Sequence, residues 1–228
     1  MQKKWIAVAL CALFCCMGSA AFAQRFTIRD GLFFGMSAEE AVQAEKRRGI
    51  EINEFIHDAD AKVYGPYDPI SVGGYALTRL YEVFDGSSRL RRVIYDLAPS
   101  PSGYGSRDAL SQSFAEMDRV LEDRHAPARI ENAQALLSFA ARVYGYEELA
   151  PLRSWMLIQW LMTYPLDALS DPVGQSVRIL RYGDEDILVF HQAYFGDALV
   201  GHMVEYVQLD TAFTDELLSA YQTAMSDF

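Results

Sequence analysis

The stretch VRILRYGDEDILVFHQAYFGDALVGHMVEYVQL, Val177–Leu209, decides the fold. Three runs rich in Val, Ile, Leu, Phe and Tyr (Val177–Tyr182, Ile187–Phe195 and Ala198–Leu209) are separated by Gly183-Asp184-Glu185-Asp186 and Gly196-Asp197, both turn-forming. Connections this short join antiparallel neighbours, because a parallel crossover needs about a dozen residues or more. The stretch therefore reads as a three-stranded meander. With Gly196-Asp197 as a two-residue turn, Phe195 pairs with Ala198, and counting outward sets His191 directly opposite His202.

Facing residues in such a pair have Cβ atoms ~5 Å apart, so two imidazoles there can share a metal or a proton. Three readings follow. His191 and His202 are two ligands of a zinc or copper site completed by a carboxylate from elsewhere. Alternatively, they are half-buried rings packed among Val189, Ala193, Val200 and Val204. In the third, they form a pH-sensitive point, because two facing imidazolium ions repel. A slip of one residue would put the rings on opposite faces and remove the first and third.

Outward from the meander, Thr214–Met225 reads as a closing helix with Thr214 as N-cap and Phe213 stapled onto Leu218. In the other direction, Trp155–Tyr164 is densely apolar and bounded by Pro165 and Pro172. It reads as a buried helix or strand, or as an exposed aromatic surface. Asn132–Tyr144 has helical spacing through Leu136, Leu137, Ala140 and Val143. Ser106 caps a helix whose Leu110, Phe114, Met117 and Leu121 share one face. Before it, Tyr75–Phe84 and Leu90–Leu97 form a hairpin across Asp85-Gly86-Ser87-Ser88. Tyr75, Leu77, Tyr81 and Val83 share one face, as do Val93, Tyr95 and Leu97. Ile50–Pro69 reads as a strand or a short helix with a turn at His57–Asp60, and Gln24–Asp30 as a lead-in or edge strand.

Gly31–Gly49, GLFFGMSAEEAVQAEKRRG, is the opening helix with its signals at both ends. Ser37 and Glu40 have capping-box spacing, Glu39 and Glu40 lie at the positive end, Lys46, Arg47 and Arg48 at the negative end, and Gly49 is the stop. The order is helix, strands, helix, a variable insert, strands, helix. This is an α+β fold of antiparallel meanders packed by helices, either one domain over 24–228 or two unequal halves, 24–125 and 126–228.

Met1–Ala23 has the pattern of a secretory signal: Lys3 and Lys4, the apolar run Trp5–Met17, and Ala21-Phe22-Ala23 before Gln24. Cleavage near Ala23 gives a secreted or periplasmic protein with no stable membrane anchor. All three cysteines lie in that segment, so the mature chain has no disulfide and no thiolate site. Losing Lys3 and Lys4 takes the net charge from −11 to −13, against nucleic acid as a partner. The sequence has no Gly-x-Ser-x-Gly, no His-Glu-x-x-His, no phosphate loop and no dinucleotide fingerprint. Its acidic pairs read as solvated charge. Tyr104, in the Pro99–Ser106 loop, and Tyr144 and Tyr146 are the candidate binding surface, since Tyr/Ser/Gly-rich loops suit adaptable contacts, though ordinary loop chemistry also explains them.

Phe34-Gly35-Met36-Ser37-Ala38-Glu39-Glu40-Ala41-Val42 resembles the helix start of uncharacterised secreted bacterial α+β domains. More loosely, it is similar to the family of the small outer-membrane assembly lipoprotein and the β-lactamase inhibitory protein, whose helices open with Gly-Met-Thr. The likeness spans about a dozen residues. The chain departs from that family in lacking a lipobox cysteine and a second such start. The resemblance implies a binding or scaffolding domain with no catalytic residues to carry over. The expected function is an exported, non-catalytic binding protein of the bacterial envelope or exterior, needing no cofactor, whose partner is a protein or small ligand. The alternative is a secreted metal-binding protein or metal-dependent enzyme using His191 and His202.

Overall fold

The computed structural model describes residues 25–57, 61–100, 102–130, 132–133, 135–136, 138–139, 172–196 and 200–226. The signal segment Met1–Ala23, most of the expected Asn132–Tyr144 helix, Trp155–Tyr164, Tyr144 and Tyr146 lie outside them.

The described chain is three helices and nine strands: α1 Ala38–Arg47, β1 Asn53–His57, β2 Ala61–Gly65, β3 Ile70–Val72, β4 Tyr75–Asp85, β5 Leu90–Asp96, α2 Arg107–His125, β6 Arg129–Ile130, β7 Pro172–Tyr182, β8 Glu185–Phe195, β9 Val200–Leu209 and α3 Thr211–Ser226. The strands form one antiparallel sheet in the order β1-β2-β4-β5-β9-β8-β7-β6, with β3 paired to β4 off that path. The sheet does not close, and the fold is α+β. Two meanders meet where β5 pairs with β9, Tyr95 opposite Val204.

The ends of α1 are those the sequence specifies. The Ser37 hydroxyl accepts from the Glu40 N–H, and the Glu40 carboxylate accepts in return from the Ser37 N–H. Ahead of the helix, Gly35 takes φ +79° and donates its N–H to the Leu90 carbonyl, while Leu90 donates to Met36. That reciprocal pair ties the helix start to the β4–β5 hairpin. The expected edge strand at Gln24–Asp30 does not form. The segment is a tight loop closed by the Ile28 N–H on the Leu32 carbonyl, and it buries Phe26 and Ile28.

Successive strand residues point to opposite faces, so the central strands are apolar on both. One face packs Leu180, Ile187, Val189, Val204 and Tyr206 against α1, α2 and the lead-in. The other packs Ile179, Leu188 and Val207 against Leu217 of α3. Burying each such side chain contributes ~1.5–3 kcal/mol.

In β4, Tyr81 and Val83 share a small cluster with Val63, Ile94 and Met203, while Leu80 and Phe84 of the other parity join the main core. Glu82 of that second parity is buried 3.2 Å from Arg29. One expectation needs correction: α3 begins at Thr211, a turn earlier than expected. The Asp210 carboxylate accepts from the Ala212 N–H, so Thr214 lies inside the helix and returns its hydroxyl to the Asp210 carbonyl.

Candidate functional site

The β8–β9 register differs from the expected one. Phe195 pairs with Val200 and not with Ala198. His191 consequently faces Val204 and His202 faces Ala193. A shift of two preserves side-chain parity, and both rings stay on the α2 face as diagonal neighbours. They still meet: the two Nε2 atoms are 2.8 Å apart, and both residues are wholly buried.

Each outer ring nitrogen also has a partner. His191 Nδ1 is 3.1 Å from Asp118 Oδ1 on α2, and His202 Nδ1 is 2.6 Å from the Tyr104 hydroxyl. Phe114, one helical turn before Asp118, stacks on His191 at 4.1 Å between centroids. Tyr75 meets His202 edge-on. Gly174 on β7 leaves the room for Phe114, since a Cβ there would come within 2.4 Å of its ring.

The charge state of Asp118 sets the direction of this chain of bonds. Burial pushes its carboxyl up, but hydrogen bonds from Ser176, His191 and Arg178, with the Arg178 charge, outweigh burial and hold it below the ordinary range. Arg178 is itself fixed between Asp118 (3.0 Å) and Glu122 (3.0 Å). An ionised Asp118 only accepts, so His191 donates from Nδ1 and accepts at Nε2. His202 then donates from Nε2 and accepts the Tyr104 hydroxyl at Nδ1. Burial drives the pKa of His191 down to about 4 against the pull of Asp118, and that of His202 to about 3, where a charged His191 would add repulsion. Burial raises the Tyr104 hydroxyl above its ordinary value, so it stays a donor. The sequence is Tyr104→His202→His191→Asp118, four neutral or singly charged groups with no unmatched proton.

That circuit bears on the metal reading. A tetrahedral zinc at ~2.0–2.1 Å from each nitrogen would need the two Nε2 atoms wider apart than the observed hydrogen bond. Asp118 bonds the far nitrogen of His191 and does not face the gap. Among the described residues no group of three or more His, Cys, Asp or Glu side chains is placed to hold a metal. Tyr104 is 6% exposed and anchors the buried pair rather than projecting as a contact residue. Its loop, including Ser100, Ser102 and Gly103, lines a cleft of mixed polarity of about 560 Å³.

Sequence reasoning did not find a second feature, a cleft of about 360 Å³ where the exits of α1 and α2 meet β3. Its walls include Ile70, Val72, Met117, Val120 and Leu121, and its charged lining is Arg29, Arg48 and Arg124. Behind the wall, Arg29 bridges Glu45 of α1 at 2.6 Å and Glu82 of β4 at 3.2 Å, both wholly buried. Two carboxyls on one guanidinium do not both ionise readily out of water. Burial and the Glu45 charge push Glu82 up to about 8 despite Arg29. The available signal was a glutamate on each buried periodicity: Glu45 on the α1 stripe, and Glu82 between Leu80 and Phe84.

No protein-family model, no curated protein and no solved structure matches the chain, so the functional reading rests on these residues.

Proposed function

We propose that this chain is an exported, non-catalytic binding protein of the bacterial envelope or exterior that holds a small, largely apolar ligand in the cleft between α1, α2 and β3. The cleft itself carries the reading: it lies within the ~300–1,000 Å³ range of small-molecule sites and is walled mainly by aliphatic side chains. The histidine centre supports the non-catalytic part. All four ring nitrogens of His191 and His202 are engaged within the protein, so neither ring presents a free base. The resemblance of the α1 start to secreted binding domains points the same way, and the signal-like Met1–Ala23 supports export.

The test is titration of residues 24–228 with a neutral naphthylamine dye that fluoresces in apolar surroundings. Saturable one-to-one enhancement is expected. It should be lost in Val120→Trp, which fills the cleft from a position 56% exposed and so spares the core. Absence of saturation, or saturation indifferent to Val120→Trp, refutes the assignment.

A further inference from the structure

Within that reading, on which this inference rests, we infer that the ligand is a monoanionic amphiphile, a single-chain carboxylate whose head lies between Arg48 and Arg124 and whose tail follows the aliphatic wall. The chain as a whole is acidic, at −11, yet among the described residues the charged side chains lining this cleft are three arginines and no carboxylate. Local charge thus runs against global charge.

The three arginines differ. Arg29 is already paired with the buried Glu45 and Glu82 and forms part of the wall. Arg48 donates to the Asp30 carbonyl at 3.1 Å, and Arg124 to the Thr27 and Ile28 carbonyls at 3.4 and 3.2 Å. These partners are neutral, and neither guanidinium has a carboxylate partner among the described residues. Both side chains are exposed at the mouth, held in place by backbone oxygens with N–H groups to spare.

The magnitude of the field fixes the charge of the head. Arg48 is the C-cap of α1 and Arg124 lies in the last turn of α2, so both helices bring their carbonyl ends to this mouth. Each end carries about −0.5 of an elementary charge. Two arginines against two helix ends leave about one net positive charge, which matches one carboxylate. Arginine also offers the planar, two-pronged donor set that a carboxylate accepts. The tail would lie along Ile70, Val72, Met117, Val120 and Leu121.

The experiment displaces the neutral dye from residues 24–228 with dodecanoate and, separately, with dodecan-1-ol, which share a tail and differ in the head. Dodecanoate is expected to compete about tenfold more tightly at low salt, with the gap narrowing at high salt. In Arg48→Gln/Arg124→Gln the preference should vanish while dodecan-1-ol competes as before. Arg48→Lys/Arg124→Lys should retain most of the preference, separating charge from packing. Equal competition by the two ligands in the unmodified chain, or a preference that survives the double Gln change, overturns the inference while leaving the binding reading intact. If neither ligand nor dye binds, both fail.

Discussion

Tyr104 illustrates how one hydroxyl orders a buried polar network. It opens the circuit as a donor, and its hydroxyl satisfies the Nδ1 lone pair of His202. Removing it leaves the buried Nδ1 lone pair without a donor, at a cost of about 1–3 kcal/mol. Tyr104→Phe should therefore lower the urea midpoint with an unchanged m-value, although the substitution keeps all the apolar contact. An unaffected midpoint would show that His202 has another proton source. Asp118 plays the opposite part at the other end, where Arg178 and Ser176 keep it an acceptor. Hairpin spacing brings His191 and His202 together, but nothing in the sequence spacing reveals Tyr104 and Asp118 at the two ends, because they come from a distant loop and a helix.

At the scale of elements, the contact of α2 with β7 and β8 holds the histidine centre together. Phe114 lies flat on His191 only because β7 has no side chain at position 174, where the strand also bulges between Pro172 and Gly174. Gly174→Ala places a methyl inside the space of the Phe114 ring. It should destabilise the protein by about 1–3 kcal/mol through overpacking and shift the His191 ring resonances in an NMR spectrum. Unchanged stability and unchanged resonances would mean that α2 slides without cost. The ends of α1 were legible, since Ser37 and Glu40 act three residues apart at its start and Gly49 acts next to its C-cap. The β8–β9 hairpin was legible in existence and facing but not in register. The Gly-Asp pair predicts Phe195 opposite Ala198, whereas Phe195 faces Val200.

The whole molecule carries opposing pH dependences. Burial lowers His125 to about 4, with help from Arg124 and Arg178, as it lowers His191 and His202. The unfolded chain takes up those protons first, so their contribution is present above about 6.5 and is lost as pH falls toward 4. Glu82 works the other way: its folded-state pKa is raised, so stability declines as pH climbs from 4.5 through about 8. Three histidines outweigh one carboxyl on the acid side, and Glu82 acts between there and about pH 8. Thermal unfolding should show greatest stability near about pH 6.5. Glu82→Gln should flatten the decline between there and pH 8 while leaving the acid limb in place; an identical alkaline slope in that variant would remove Glu82 as its cause. The same division by range separates what the sequence determined from what the tertiary structure decided. Helix caps, turn-bounded strands and the α+β class follow from interactions between residues within a few positions of each other, and these the sequence determined by itself. Which face of β4 meets the core, how Tyr104 and Asp118 reach the histidine pair, and how Glu45 and Glu82 converge on Arg29 were decided only by the tertiary structure. They depend on burial and on partners tens of residues distant, and low-dielectric packing, not local propensity, sets the energy of a buried charge.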